Sequence, residues 1–285
     1  MISCERRNNL NISEIKKIYI NACFEELTCL KPGNQNTITN FSSSKISKFR
    51  QAAKISSSYL FDNQLSLGES IFLSSKKCFD SLGSNFNLGI ILLCAPVIKS
   101  ILQFNNISIK AILKSISEEE GELIFKAIKY SNPGGIKNYS GRGDLQNDKQ
   151  TCSLKFKSIM KIGSSRDRIS RCYIDNYNEI LEFGLPSFQR NKLYFSREKA
   201  CICLFLDYLS YDLDSHLLRK FGDSTAKIIR KKCIFIKKKL SVKKNSFFFH
   251  LRDFDRYLKK MHFNPGTCAD LTVTTLLIDK IIDIV

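Results

Sequence analysis

The chain has 285 residues, of which 43% are apolar, so it is long enough to bury a core as one large domain or two small ones. Five prolines and thirteen glycines are too few for an all-β fold built on tight turns. The formal charge of +18 indicates either a polyanionic partner or lysines scattered over solvated faces, and the charge alone does not choose between them. Because no linker is visible, we predict a single all-α domain over residues 1–285.

Cysteine usage and hydropathy indicate the compartment. The N-terminus, Met1–Arg7, starts no signal peptide, so the eleven cysteines are interpreted as reduced thiols in a cytosol. No Cys/His quartet with zinc spacing is present. The longest apolar run, Leu88–Ile98, contains Pro96 and is roughly half the length of a membrane span. We therefore expect a soluble, cytoplasmic protein without a membrane partner.

Helix signals recur along the chain. Asn11–Glu14 has capping-box form and opens a helix that ends at Pro32-Gly33, and Ser117–Glu120 opens a second that ends at Asn132-Pro133. Apolar periodicity predicts further helices over 45–60, 66–81, 88–103, 151–162, 166–183, 194–212, 224–240 and 268–284. The predicted loops are 31–44, 82–87, 131–150, 184–192 and 263–267. Strand alternation is nearly absent, since the β-prone patches Phe235-Ile236 and Phe247–Phe249 each adjoin helix-like sequence.

A basic stretch runs from Lys227 to Lys244. It is typical either of a nucleic-acid arm or of an amphipathic helix with a solvated basic face. The second interpretation is favoured because apolar residues interleave with the lysines, namely Ile228, Ile229, Ile234, Phe235, Ile236 and Leu240. Nucleic acid is therefore not the expected partner.

The first motif with chemical potential is the stretch from Glu25 to Asn34. A carboxylate near a helix end, Glu25, is followed by Lys31 on a sharp Pro32-Gly33 turn. Such a turn lets backbone amides approach a phosphate while the lysine adds positive charge. The alternative is a plain helix stop with an exposed Glu-Lys pair.

Two glycine-containing loops follow. Gly83–Gly89 holds two asparagines before a long apolar helix, which favours an anion site at the helix N-terminus, although Asn87 also fits an ordinary N-cap. Asn132–Gly135 is a Pro-Gly-Gly loop that could fold over a ligand, with Arg142 and Asp144 following.

The last two motifs lie in the C-terminal third. In Asp214–Gly222, Asp214 suits an N-cap, Gly222 suits a helix C′ position, and His216 is interpreted as a satisfied surface histidine. In Asn264–Thr272, a Pro-Gly turn feeds a helix. There Thr267 and Asp270 form either a Thr-x-x-Asp cap or a site in which the aspartate faces a ligand.

In this order the five motifs resemble the triphosphoribosyl-dephospho-CoA synthase family, over about residues 20–275. Ser164–Ser170 is also similar to a family segment in which an aspartate precedes Ile-Ala. Departures from the family pattern are Ser84 and Phe86 in place of two threonines, Gln35 in place of an aliphatic residue, and Asn40-Phe41 in place of an acidic pattern.

The resemblance implies transfer of the triphosphoribosyl group of ATP to dephospho-CoA with release of adenine. It implies Glu25, with Asp167 as a second candidate, as the carboxylate that stabilises an oxocarbenium-like centre or takes the acceptor's proton. Mg²⁺ would be held by Asp214 and Asp270. The implied ATP contacts are Lys31, Gly33, Asn34, Asn85, Asn87, Gly89, Gly134, Gly135, Arg219, Lys220, Asn264, Gly266 and Thr267.

Several alternatives stay open at this point. A relative of the family could use another small-molecule acceptor, or water, as a nucleotide N-glycohydrolase. A non-catalytic basic module acting through 227–244 is a different class of function. The sequence leaves open the acceptor, the oligomeric state, and which carboxylate is base and which binds metal.

Overall fold

In the computed structural model, residues 11–39, 43–146, 154–242 and 247–284 are described, and all regular secondary structure in these ranges is helical. The α-helices are α1 (Ile12–Thr28), α2 (Ser43–Leu60), α3 (Leu67–Leu82), α4 (Leu88–Phe104), α5 (Ile109–Ser115), α6 (Glu118–Ser131), α7 (Phe156–Gly163), α8 (Arg168–Asp175), α9 (Leu185–Tyr194), α10 (Arg197–Tyr211), α11 (Ser215–Val242), α12 (Phe247–Lys260) and α13 (Gly266–Ile282). A 3₁₀ turn covers Ile136–Asn138, and a π-helical segment covers Glu179–Gly184. The predicted all-α fold is confirmed.

Local capping explains several helix boundaries. The Asn11 side chain accepts a hydrogen bond from the Ser13 amide at 3.0 Å and starts α1. The capping box predicted at Ser117 is present, with reciprocal bonds between Ser117 and Glu120. Asn132 ends α6 in a left-handed conformation, with φ of 42°, which asparagine tolerates better than most residues.

Some element predictions were wrong. Residues 184–192, predicted as a loop, belong largely to α9, whose first turn accommodates Pro186 because a proline there gives up no helical hydrogen bond. The helix predicted over 166–183 is interrupted where Asn176 and Tyr177 both take positive φ. The β-prone patch Phe247–Phe249 lies in α12. The helix predicted over 151–162 begins at Phe156, and residues 151–153 lie outside the described ranges.

The basic stretch forms the second part of α11, after a break at Gly222, where φ is 84° and ψ is 171°. The helix is confirmed, but its buried stripe differs from the predicted one. Ala226, Ile229 and Cys233 are buried, whereas Ile228 and Phe235 are 51% and 56% exposed. The side chain of Leu240 and the whole of Lys243 and Lys244 lie outside the described part of the chain.

The core is one contiguous hydrophobic cluster to which all the α-helices above contribute buried side chains. This arrangement supports the predicted single domain. The two central helices are α4 and α13, which pack against each other, and α13 also packs against α1 and α10. All cysteines in the described ranges are free thiols, and all but Cys203 are buried.

Within the described ranges no single helix is long and apolar enough to cross a membrane. The pair α4 and α5 reaches the required length and composition together, but the two helices are bent by 99° to each other. Most of α4 is buried in the protein core.

Candidate active site

The five motifs meet around one cavity of about 500 Å³. It is bounded by the N-terminal ends of α4, α8, α11 and α13, the C-terminal part of α1, and the loop after α6. The residues predicted to form the site that line this cavity are Asn34, Asn85, Asn87, Gly89, Gly134, Gly135, Asp167, Arg219, Asn264, Gly266, Thr267 and Asp270. Glu25, Lys31, Gly33, Asp214 and Lys220 do not line it.

The loop after α1 and the loop before α13 are tied together. The Asn34 Nδ2 atom donates to the Asn264 Oδ1 atom at 2.8 Å. Gly33 has φ of +78°, and a Cβ atom there would lie 2.5 Å from the Phe263 carbonyl oxygen, so only glycine fits this approach. The Gly33 amide donates to Asp255 Oδ1 at 2.9 Å, so it is not the free phosphate donor that the sequence predicted.

On α1, Glu26 reaches the cavity and Glu25 does not. The Glu25 carboxylate lies 2.7 Å from Arg197 Nε, away from the cavity. Consecutive helical residues point about 100° apart, so an error of one residue changes the face. Glu26 is 4% exposed, and it is this carboxylate, rather than that of Glu25, that lines the cavity.

Lys31 is the buried partner of Glu26. Its Nζ atom lies 2.9 Å from Glu26 Oε1 and donates to the carbonyl oxygens of Glu26 at 2.6 Å and Gln35 at 2.9 Å. Burial raises the pKa of Glu26, and the charge of Lys31 lowers it. Lys31 thus positions a carboxylate, and its predicted contact with a phosphate does not fit its full burial.

Asp214 joins two helix N-termini. Its Oδ1 atom accepts from the Leu217 amide at 3.0 Å, as the predicted N-cap of α11, and its Oδ2 atom accepts from the Cys268 amide at 2.8 Å in the first turn of α13. Both oxygens are engaged below the cavity surface. The placement therefore does not fit the predicted metal ligand.

Asp270 lines the cavity from the N-terminal part of α13, just after its first turn. The Thr-x-x-Asp cap is not formed, because Pro265 holds the cap position without a side-chain bond and Thr267 Oγ1 accepts from the His216 amide at 3.2 Å. No described residue donates a hydrogen bond to the Asp270 carboxylate. Burial raises the pKa of Asp270 well above its usual range, and the charges of Asp214 and Glu26 raise it further.

Asp167 and Arg219 form an ion pair in the cavity lining. Asp167 caps α8 by accepting from the Ser170 amide at 2.9 Å, and its other oxygen lies 2.5 Å from Arg219 Nη1. Gly135 has φ of +82° and lies against the Arg219 backbone, where a Cβ atom would be 2.8 Å from the carbonyl carbon. The Pro-Gly-Gly loop is therefore docked on α11. Lys220 points away and is exposed, with its Nζ atom over the Phe221 ring.

Asn87 is not an ordinary N-cap. It precedes α4 with φ of +64°, and its side chain makes no capping bond. Its Oδ1 atom is buried without a hydrogen-bond partner, while its Nδ2 atom donates to the Phe49 carbonyl oxygen at 3.4 Å. Phe86, which replaces a threonine of the family pattern, packs edge-on against the Phe49 ring. The side chain of Asn87 therefore has an unused acceptor in the cavity wall.

The profile of the CitG family, described as ATP:dephospho-CoA triphosphoribosyl transferase, matches residues 12–284. This chain belongs to the CitG family. The match extends across all five motifs, and it makes the protein an enzyme of the transferase class. No curated protein and no solved structure matched the chain. The CitG family acts on ATP and dephospho-CoA.

Sequence reasoning missed His216. It lines the cavity between the Pro-Gly-Gly loop and the Asn-Pro-Gly-Thr loop, and a Cβ atom on Gly266 would lie 2.9 Å from its Nδ1 atom. Burial lowers the pKa of His216, and the charges of Arg219 and Lys220 add to this effect against that of Asp214. The imidazole is therefore neutral at pH 7. The available signal was its place inside a CitG motif.

Sequence reasoning also missed an apolar wall and a second arginine. The wall comes from α4, α6, α7 and the loop after α6, and its members are Leu92, Phe125, Ile128, Leu145, Ile159, Met160 and Ile162. These residues are individually ordinary core residues, and only their arrangement around a shared cavity distinguishes them. Arg166, which precedes the helix cap Asp167, also lines the cavity.

No group of three or more His, Cys, Asp and Glu side chains in the described ranges is arranged to hold a metal ion. The carboxylates that line the cavity are Glu26, Asp144, Asp167 and Asp270. Mg²⁺ takes oxygen ligands and usually keeps several waters, so one or two carboxylates together with substrate phosphates suffice. Asp270 fits this requirement because its carboxylate lines the cavity and has no hydrogen-bond donor among the described residues. Asn40-Phe41, the last departure from the family pattern, lies outside those residues.

Proposed function

We propose that this CitG-family enzyme transfers the 5-triphosphoribosyl group of ATP to dephospho-CoA and releases adenine. The observation that carries the proposal is the convergence of all five motifs on one cavity that is lined by carboxylates, a neutral histidine and arginines. A polar site with convergent charged groups inside a partly apolar cavity is typical of a nucleotide site.

The reaction breaks the bond between C1′ of the ATP ribose and N9 of adenine, and it forms a bond between C1′ and a hydroxyl oxygen of the acceptor. Adenine leaves with the electron pair and gains a proton, and the acceptor hydroxyl loses one. The transition state resembles that of glycoside hydrolysis, with positive charge at C1′. A carboxylate near this carbon stabilises that charge.

We assign this carboxylate to Glu26 rather than to its neighbour Glu25. Glu26 lies in the cavity wall, and Lys31 fixes its orientation. The second predicted candidate, Asp167, is engaged by Arg219 and by the first turn of α8, so it is less available. The neutral imidazole of His216 is suited to accept the proton of the acceptor hydroxyl.

Asp270 remains the proposed Mg²⁺ ligand. Mg²⁺ bound there would neutralise part of the triphosphate charge. The chain's own contribution is a carboxylate held near the N-terminal end of α13 against Gly89. Asp214 supports this position indirectly, because its bond to the Cys268 amide fixes the first turn of α13.

The proposal is tested by incubating the protein with Mg-ATP, with and without dephospho-CoA, and measuring free adenine and the triphosphoribosylated product by mass spectrometry. Adenine release that requires dephospho-CoA supports the transferase. Adenine release without any acceptor assigns the protein as an N-glycohydrolase. If no adenine forms with either mixture, the proposed reaction is wrong.

A nucleic-acid or partner-binding module at 227–244 has less support. Several cations of α11 already have intramolecular partners: Lys227 pairs with Asp223, Lys237 pairs with Asp207, and Lys232 lies over the Tyr257 ring. These contacts reduce the charge that the helix face presents to an external polyanion.

A further inference from the structure

We propose that Arg166 binds the triphosphate of ATP, so that the phosphates lie at the cavity mouth and the ribose points towards Glu26. The inference rests on the proposed function for its choice of ligand. It starts from the positive groups around the cavity, since a triphosphate requires cations or amides that are not already engaged.

The phosphate contacts predicted from the sequence are mostly unavailable. Lys31 is fully buried and paired with Glu26, and Lys220 lies outside the cavity. The Gly33 amide is bonded to Asp255. Arg219 lines the cavity, but its Nη1 atom is held by Asp167. The phosphate-binding groups predicted from the sequence therefore offer little free positive charge to a triphosphate.

Arg166 differs from all of them. It lines the cavity, and no carboxylate of the described residues lies within ion-pair distance of its guanidinium. The guanidinium carbon lies 5.3 Å from the centroid of the Tyr139 ring, and Tyr139 also lines the cavity. Stacking on an aromatic face fixes the plane of a guanidinium while its N–H donors stay free at the edge. The Arg166 side chain is therefore held in one orientation, and its N–H donors remain available to a ligand.

The backbone before α8 supports the same site. The amides of Arg166 and Asp167 both donate to the Gly163 carbonyl oxygen at 2.9 Å, which folds 163–167 into a tight turn. Gly163 and Ser165 of this turn line the cavity, and so does Ser170 in α8. The negative charge of Asp167, which would oppose a phosphate, is compensated by Arg219.

The charge distribution then orients the substrate. Arg166 is exposed, so a triphosphate bound to it keeps part of its hydration and its desolvation cost is low. Glu26 also lines the cavity, and its carboxylate attracts a cationic C1′. The triphosphate end is therefore favoured at Arg166 and the reacting carbon at Glu26.

The test compares Arg166→Ala, Arg166→Lys and wild type by isothermal titration with inorganic triphosphate, ATP and adenosine. We expect Arg166→Ala to lower the affinity for inorganic triphosphate and for ATP about tenfold to hundredfold, because a charge-assisted contact is removed. The affinity for adenosine should stay within about twofold of the wild-type value. Arg166→Lys should recover part of the loss. Lys220→Ala, which removes an exposed lysine outside the cavity lining, is the matched control and should bind all three ligands as wild type does.

Three results would overturn the inference: inorganic triphosphate that does not bind the wild type, unchanged triphosphate affinity in Arg166→Ala, or an equal loss for adenosine and ATP. The titration uses no acceptor and needs no turnover. A failed transferase assay with intact triphosphate binding at Arg166 therefore rejects only the proposed function. If the transferase is active but Arg166→Ala binds ATP as tightly as the wild type, only this inference is rejected.

Discussion

The carboxylate of Asp270 lies directly against Gly89, at the point where the N-terminal ends of α13 and α4 meet. A Cβ atom at residue 89 would overlap Asp270 Oδ2. Gly89 is therefore required for a close approach of a side chain rather than for an unusual backbone conformation.

Gly89→Ala should displace the Asp270 carboxylate and reduce adenine release by at least about tenfold. It should also lower the thermal unfolding midpoint, because inserting one carbon into a packed site costs about 1–3 kcal/mol. Steady-state kinetics and differential scanning calorimetry measure the two effects. In Gly89→Ala/Asp270→Ala the overlap is gone, so the midpoint should recover while activity stays low. Full activity in Gly89→Ala alone would contradict the assignment of Asp270 to the active site.

Glu26→Gln should reduce the rate of adenine release by about a hundredfold or more, since it removes the charge that stabilises C1′. Glu25→Gln, the neighbouring substitution on the same helix, should change the rate by less than about threefold. Glu25 contacts Arg197 outside the cavity. Equal losses in both variants would remove the distinction between the two carboxylates.

Stability must be separated from catalysis in this test, because Glu26→Gln leaves Lys31 buried without its counter-charge. Breaking a buried pair costs about 3–5 kcal/mol. Glu26→Gln/Lys31→Met removes both charges and should regain much of the thermal midpoint while remaining inactive. Restored activity in the double variant would reject a catalytic role for Glu26.

Asp270→Asn should stabilise the protein at pH 7. It should also abolish the rise in the thermal unfolding midpoint that Mg-ATP causes in the wild type. The pKa of Asp270 is raised in the folded state, so the folded protein binds more protons than the unfolded chain above the ordinary pKa of about 3.9. The free energy of unfolding contributed by Asp270 therefore falls as pH rises from about 4 through the raised pKa. Thermal melts of wild type and variant should differ at pH 7 and converge near pH 4. A difference that persists at pH 4 would point to packing instead.

His216→Gln should slow adenine release and flatten its dependence on acid pH. The pKa of His216 lies below its ordinary value of about 6.5, so the wild-type rate should hold constant at neutral pH and fall as the imidazole protonates in more acidic buffer. The loss expected for a missing proton acceptor is about a hundredfold or more. Profiles of kcat/KM between pH 5 and 9 measure both effects. An identical acid limb in the variant would assign that limb to another group.

Local signals predicted much of this molecule because they depend on a few adjacent residues. Capping at Asn11 and Ser117, the break at Gly222 and the ends at Asn132 were readable for that reason. The Pro-Gly turns likewise marked where the site would form. Their convergence on one cavity followed from the resemblance to CitG proteins and is seen in the structure.

The errors arose where a role depends on a distant partner. The Gly33 amide is taken by Asp255, and the second oxygen of Asp214 is taken by the Cys268 amide, so neither is available to a ligand. Which of Glu25 and Glu26 faces the cavity depends on how α1 is rotated about its axis relative to the rest of the protein. Such information is tertiary and cannot be read from a short motif.

The hydrogen bond from Asn34 to Asn264 spans 230 positions of the chain. Parts of the cavity lining that are far apart in sequence are thus held together by a single side-chain contact. A nascent chain that has not yet reached residue 264 lacks α13, and with it the lining residues Gly266, Thr267, Ala269 and Asp270.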